Sequence, residues 1–135
     1  MKIMLDTDMC FDLIRQRPQS ALNRFAAHVP GDIGLSAITV AELEYGVRKS
    51  ARPRRNRQAL EQFLSPLQVA AFDRAATRTY GRLRTHLERK GLPIGAMDML
   101  IAAHALSADV SLAASNEREF RRVPDLRVEN WATTR

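Results

Sequence analysis

The sequence predicts an α/β fold in which a central, mainly parallel sheet is flanked by helices. Short apolar segments alternate with helical patterns along the whole chain, which is the order expected for parallel strands joined by helical crossovers. No repeat or linker divides the 135 residues, and this length suits one core. We therefore expect a single domain over residues 1–135.

Five short apolar segments have the length and flanking residues of buried strands. They cover about 2–5, 33–36, 67–72, 110–115 and 126–130. Parallel strands place their carboxyl ends at one edge of a sheet, where ligands bind in open α/β folds. Asp6 follows the first segment, and Ser115 and Asn116 follow the fourth, so this edge is the first candidate for a site.

The segments between the strands repeat apolar residues at steps of three and four, which is typical of amphipathic helices. We expect helices at about 8–27 with a break at Pro18, 37–49, 54–64, between Asp73 and Gly91, and 97–108. Asp73 is a favourable N-cap, and Gly91 is a favourable C-terminal stop. The last helix is apolar on nearly all sides, Met97 included, which predicts a buried helix.

The charge balance suits an anionic partner. The chain carries 21 Lys and Arg against 15 Asp and Glu, a net charge of +6, which favours nucleic acid. The densest basic cluster, residues 48–58, is interpreted either as a solvated loop or as a patch that contacts phosphates. Its candidate RNA contacts are Arg48, Lys49, Arg52, Arg54, Arg55 and Arg57.

Other features narrow the class of protein. No apolar run is long enough to span a bilayer, and the early Asp6 does not fit a secretory leader, so we expect a cytoplasmic protein. Cys10 is the only cysteine, so no disulfide forms within the chain, and its apolar neighbours indicate a structural role.

Three carboxylates lie in apolar surroundings. Asp6 ends the first strand, Glu42 is flanked by apolar residues, and Asp98 lies in the first turn of the last helix. Burying carboxylates together is unfavourable unless they are protonated or share a cation, and Mg²⁺ prefers carboxylate oxygens and water as ligands. Such a site in a basic protein attracts phosphate, which indicates metal-dependent hydrolysis of a phosphodiester.

Two further points concern Asp98 and Glu44. Asp98 alone is explained equally well as a group that stabilises the start of its helix. Glu44, two residues beyond Glu42, is expected to point away from the site and face solvent.

Four stretches of the chain together resemble the PIN-domain ribonucleases, specifically the VapC-type toxins of bacterial toxin–antitoxin pairs. They are "MLDTD" at 4–8, "LSAITVAELEYGV" at 35–47, "GLPIGAMDMLIAAHAL" at 91–106 and "LAASNEREFRRVPDLRVENW" at 112–131. The resemblance implies a three-layer PIN fold. It also implies an endoribonuclease that depends on Mg²⁺, or on Mn²⁺, and leaves a 5′-phosphate and a 3′-hydroxyl.

The resemblance assigns roles to the acidic residues. It implies that Asp6 and Asp98 are the core metal ligands and that Glu42 completes the acidic trio. Asn116 matches a fourth position, which is Asp in many PIN domains and often Asn in these toxins.

Four further residues are auxiliary candidates. Thr7 and Ser115 match hydroxyls that orient carboxylates or water, and Glu119 could add charge near Asn116. Asp8 stands where the family often has Asn. For Asp8 we favour an N-cap of the first helix over an extra metal ligand.

The resemblance also implies partners: a cognate VapB-type antitoxin, a second copy in a homodimer, and a structured RNA, with tRNA ranked first. Two alternatives come from other classes. Asp6 and Asp8 form an Asp-x-Asp pair after a strand, as in haloacid-dehalogenase-type phosphatases, but the later motifs of that family are missing. A non-catalytic nucleic-acid-binding module would explain the basic charge but not the three carboxylates.

Overall fold

The computed structural model describes residues 1–133, so the last two residues of the predicted domain lie outside the described part. All strand pairs in this part are parallel, and the sheet has the order β3-β2-β1-β4-β5. The strands are β1 (Ile3–Leu5), β2 (Ile33–Ser36), β3 (Gln68–Ala70), β4 (Ser111–Ala114) and β5 (Val128–Asn130). The predicted α/β fold is confirmed.

The helices lie where the apolar periodicity predicts them. They are α1 (Thr7–Ile14), α2 (Gln19–Ala26), α3 (Ala37–Lys49), α4 (Pro53–Leu64), α5 (Arg74–Arg89) and α6 (Ala96–Ala108). Short 3₁₀ turns cover Pro30–Asp32 and Phe120–Arg122. Within residues 1–133, no helix combines the length and the apolar character needed to cross a membrane.

The sheet separates two apolar layers because successive side chains of a strand point to opposite faces. Ile3 and Leu5 pack with buried residues of α1 to α4, whereas Met4 packs with those of α5 and α6. Cys10 is fully buried in the first layer, and burial raises the pKa of its thiol. This is the predicted three-layer arrangement, with the polar residues left at the carboxyl edge of the sheet.

Helix α6 is buried along most of its length, as its sequence predicts. Its central residues from Ile101 to Ala105 are covered on both sides by the sheet and α5. Met97 departs from the prediction, since 46% of it is exposed. It lies in the first turn of α6, where the helix borders an open cleft.

Most of the basic cluster at 48–58 lies in the two helices expected on either side of it, so a loop is only a small part of the cluster. Only residues 50–52 separate α3 from α4. Helix α4 starts at Pro53, because proline has no amide hydrogen to lose and its fixed φ suits the first helical position. Glu44, which the sequence predicts to face solvent, forms an ion pair with Arg57, with 2.6 Å between its Oε1 and Nη2 of Arg57. This contact lowers the pKa of Glu44.

A glycine substitution tests the register of the sheet. A Cβ at Gly34 would lie 2.6 Å from the backbone oxygen of Gln68, its partner on β3. We expect Gly34→Ala to lower the free energy of unfolding by about 1–3 kcal/mol, because the two strands must move apart. Urea denaturation measures this change.

The control is Gly81→Ala on the exposed face of α5. Apart from its two chain neighbours and the backbone of its own helix, no heavy atom lies within 4 Å of a Cβ built at Gly81. Alanine is the better helix former, so this variant should gain about 0.5–1 kcal/mol. Equal effects of the two substitutions would contradict the close strand contact.

Candidate active site

The polar residues gather where the parallel strands end. Asp6 follows β1 and Ser115 follows β4, and these two strands are neighbours in the sheet. A cleft of about 510 Å³ opens beside this edge. Its lining includes Thr7, Asp8, Phe11, Ala41, Glu42, Tyr45, Gly46, Lys49, Met97 and Asp98.

Asp6 is held rigidly between the sheet and α1. It is only 3% exposed, and its Oδ1 accepts a hydrogen bond of 2.7 Å from the amide of Met9. Its own amide donates to the carbonyl of Ala113 on β4. Asp6 is therefore the N-cap of α1, where the helix dipole favours negative charge.

The prediction that Asp8 caps the first helix is wrong. The helix begins at Thr7, one residue earlier than its apolar pattern indicates, so the cap position falls on Asp6. Asp8 lies inside the first turn with its side chain exposed to the cleft. Its charge therefore adds to that of the other carboxylates at this edge.

Asp98 lies in the first turn of α6 but forms no capping hydrogen bond. The N-cap position belongs to Gly95, whose amide donates to Oε1 of Glu119 over 2.8 Å. Oδ2 of Asp98 lies 3.6 Å from the point where a Cβ of Gly95 would be, and Oε1 of Glu119 lies 4.0 Å from it. The Asp98 carboxylate therefore makes no capping hydrogen bond and lines the cleft, although negative charge in the first turn still suits the helix dipole.

Glu42 approaches the cleft from α3. The hydroxyl of Thr7 donates a hydrogen bond to Oε1 of Glu42, which ties α3 to the start of α1. Glu42 is half-buried, and its charge is one of those that act on Asp98. The predicted orienting role of Thr7 thus has a specific contact behind it.

The two aspartates have strongly raised pKa values. Burial raises the pKa of Asp6 to about 8 against the opposing effect of the Met9 amide, and burial raises that of Asp98 to about 6. Neighbouring negative charges add to both shifts. They are Asp8, Asp98 and Asp12 for Asp6, and Glu119, Glu42 and Asp8 for Asp98.

The chemistry of these groups fits a hard divalent cation. Within residues 1–133, no three His, Cys, Asp or Glu side chains are already placed to hold a metal ion. Mg²⁺ needs fewer, because it is usually bound by one or two carboxylates and keeps several waters. Asp6 and Asp98 carry carboxylate oxygens of the kind that Mg²⁺ prefers, and a cation between them would relieve the repulsion that raises the pKa of Asp6.

Ser115 and Asn116 lie in the loop after β4, and neither is among the residues that line the cleft. Oδ1 of the exposed Asn116 accepts a hydrogen bond of 3.1 Å from the amide of Arg118, so it organises this loop. Ser115 donates a short hydrogen bond to Oδ2 of Asp12 on α1. The structure thus joins Ser115 to a carboxylate that sequence reasoning did not select.

Sequence reasoning missed Asp12 and Tyr45. Asp12 lies four residues beyond Asp8, a spacing that places both on one side of α1. Tyr45 lies three residues beyond Glu42 and is 65% exposed at the cleft. The ammonium of Lys49 lies 4.9 Å from the centre of the Tyr45 ring. Helical spacing from the predicted carboxylates was the signal available for both.

The candidate RNA contacts of the basic cluster differ in whether their charges are paired with a carboxylate. Lys49 lines the cleft, whereas Arg57 is ion-paired with Glu44 and, at 3.6 Å, with Glu61. The other members are exposed: Arg48, Arg52, Arg54 and Arg55.

Comparisons with known proteins agree with this geometry. The family model of the PIN domain matches residues 3–126. The chain is 43% identical over 129 residues to Ribonuclease VapC2 of Rickettsia felis, covering 95% of this chain and 96% of that protein. It is 40% identical over 132 residues to the tRNA(fMet)-specific endonuclease VapC of Shigella flexneri, covering 98% of this chain and 99% of that protein.

Similar solved structures indicate the same family. One is VapBC2 from Rickettsia felis bound to a DNA fragment from their promoter, with a TM-score of 0.92, 42% identity, and coverage of 97% of this chain and 99% of that one. Another is DNA-bound VapBC from Salmonella typhimurium, with a TM-score of 0.92, 40% identity, and coverage of 97% and 98%. This chain therefore belongs to the PIN-domain family, among its VapC-type ribonucleases.

Proposed function

We propose that this chain is a metal-dependent endoribonuclease, the toxin of a toxin–antitoxin pair, which hydrolyses phosphodiester bonds in RNA. The observation that carries the proposal is a pair of aspartates with raised pKa values in a basic protein. Asp98 lines the open cleft, and Asp6 is buried next to Thr7, which lines it too. The ribonuclease relatives named above support the same activity.

The resident cation in this proposal is Mg²⁺, with Mn²⁺ as the substitute. Asp6 and Asp98 would hold it, with Glu42 and Asn116 completing the predicted set. When bound, a divalent cation neutralises the scissile phosphate and lowers the pKa of its water ligand.

The protein's own contribution is to hold these groups still. The Met9 amide fixes the carboxylate of Asp6, and the hydroxyl of Thr7 fixes that of Glu42. Glu119 anchors the first turn of α6, from which Asp98 projects. Rigid helices and strands therefore position the ligands, as a preorganised site requires.

We further propose tRNA as the substrate and a VapB-type antitoxin as the partner. The name of the Shigella flexneri relative supports tRNA, and the VapBC complexes among the similar structures support the antitoxin. Residue contacts proposed for the RNA are Lys49 with a phosphate and Tyr45 with a base, because both lie at the cleft. A homodimer, a cytoplasmic location and one PIN domain over residues 1–135 complete the proposal.

The two alternatives explain less. A phosphatase built on Asp6 and Asp8 gives no role to Asp98, and a pure binding module gives no role to carboxylates with raised pKa values. The match of the PIN family over residues 3–126 favours neither alternative.

The first prediction concerns cleavage. Purified protein free of antitoxin should cut bulk tRNA into discrete fragments with Mg²⁺ and not with EDTA. Asp98→Asn should lower the cleavage rate by more than about 100-fold, because a lost metal ligand weakens activity more than a lost supporting contact does. Denaturing gels of the RNA measure this.

The control is Asp109→Asn, outside the cleft and outside α5. Asp109 has a φ of 56°, a conformation that asparagine also adopts, and an asparagine Oδ1 can still accept from Arg127, so the variant should fold and cleave like the parent. Full activity of Asp98→Asn would contradict the proposal. Release of inorganic phosphate without internal cuts would indicate the phosphatase, and binding without cleavage would indicate the binding module.

The second prediction concerns pH and stability without metal. The pKa of Asp6 is about 8 in the folded protein against the ordinary value of 3.8 for an aspartate, so folding favours its protonated form. This stabilisation is complete below pH 4 and is lost as pH rises through 8. We expect EDTA-treated protein to lose on the order of a few kcal/mol of unfolding free energy between those limits.

The matched variant is Asp6→Asn, whose side chain can still cap α1. Urea denaturation at several pH values should show a much shallower decline for this variant than for the parent. Excess Mg²⁺ at high pH should restabilise the parent and not the variant. Identical pH profiles for the two proteins would contradict the shared acidic site.

A further inference from the structure

Helix α5 carries a row of positive charges along its outer face. Its buried face contains Ala76, Leu83 and Leu87, whereas its basic residues are exposed. Arg74, Arg78 and Arg82 follow one another at four-residue steps, each about 6 Å along the helix axis. We define the α5 basic stripe as Arg74, Arg78, Arg82, Arg89 and Lys90.

The charges of this stripe are not neutralised within the described part of the chain. None of its members forms an ion pair with another residue of 1–133. Arg82 donates only a hydrogen bond of 3.3 Å to the hydroxyl of Thr79. Arg84, which lies off the stripe, is instead occupied by Glu88 and by the hydroxyl of Tyr80.

The segment that carries the stripe holds a large part of the protein's net charge. Residues 73–90 include six basic and two acidic residues, a net +4 of the chain's total of +6. Like charges four residues apart destabilise a helix. Folding therefore does not explain the pattern, whereas a polyanion bound along the helix would.

The position of the stripe suits a ligand that also enters the acidic cleft. Lys90 precedes Gly95 by five residues, which a peptide spans in at most about 18 Å. A Cβ at Gly95 would lie 3.6 Å from Oδ2 of Asp98. The end of the stripe is thus close enough for one folded RNA to reach both.

A second copy of this chain is a poor occupant. In a two-fold dimer whose axis crosses the stripe, the positive charges of the two copies would face one another. RNA has the complementary charge at regular spacing. Arg82 and His86 line a groove next to the stripe, and Asp125 lines the same groove. This single carboxylate is too little to cancel the positive charge of the stripe.

We propose that the α5 basic stripe binds the phosphate backbone of the RNA substrate away from the scissile bond. The proposal rests on the proposed ribonuclease function and adds a second contact surface to it. The stripe sets affinity and orientation for a large folded RNA, while the acidic cleft performs the cleavage.

The test measures tRNA binding in EDTA with the full chain, at several salt concentrations. The stripe variant is Arg78→Gln with Arg82→Gln. The control is Arg84→Gln with Arg127→Gln, which removes the same charge from arginines paired with Glu88 and Asp109. Circular dichroism checks that both variants keep the fold.

We expect the stripe variant to bind tRNA on the order of tenfold more weakly, with a salt dependence reduced by about 0.7–0.9 per lost phosphate contact. The control should stay within about twofold of the parent. With Mg²⁺, the stripe variant should show a raised KM for tRNA at unchanged kcat. It should cut a short oligonucleotide carrying the cut site as fast as the parent.

Equal tRNA affinity of the stripe and control variants would overturn the proposal, whether both bind like the parent or both bind weakly. A loss confined to duplex DNA would also overturn it and assign the stripe to DNA. If the parent cleaves tRNA and the stripe variant binds tRNA as tightly as the parent does, the stripe proposal fails and the ribonuclease function stands. Absence of both binding and cleavage in the parent removes the ribonuclease function as well.

Discussion

The unfavourable burial of negative charge at one edge of the sheet is the constraint on which this site depends. Asp6 is 3% exposed, and its pKa of about 8 records how strongly burial and nearby carboxylates oppose its ionisation. Burial and nearby carboxylates also raise the pKa of Asp98, which lies on α6, to about 6. Asp6 follows the last residue of β1, and Asp98 lies in the first turn of α6. The fold brings these two carboxylates together, and a divalent cation is the partner that their chemistry fits.

The surrounding structure is arranged to keep these carboxylates in place. Asp6 caps α1, Thr7 holds Glu42, and Glu119 accepts a hydrogen bond from the amide of Gly95 just before α6. Helix α6 is buried along its centre, which anchors the helix that carries Asp98 in the core. The cleft is thus lined by helices whose inner faces pack in the core, and such elements position side chains more precisely than loops do.

Sequence reasoning found the strands and helices because their apolar spacing follows directly from which faces are buried. It selected Asp6, Glu42 and Asp98 because charge in apolar segments is conspicuous. It misassigned the N-cap to Asp8 because helix starts depend on backbone geometry to within one residue. The Ser115–Asp12 contact joins residues 103 apart, and the Glu44–Arg57 pair joins two helices, so neither follows from local pattern. The stripe on α5 was missed because its charges are dispersed at helical spacing instead of forming one run.

The central claim is that Asp6 and Asp98 share a divalent cation. The most direct test is titration of metal-free protein with Mn²⁺, with free Mn²⁺ followed by electron paramagnetic resonance. The account predicts saturable binding by the parent and by Asp109→Asn, and affinity weakened by more than about tenfold in both Asp6→Asn and Asp98→Asn. Unchanged affinity in these two variants would show that the cation, and with it the cleavage chemistry, belongs elsewhere.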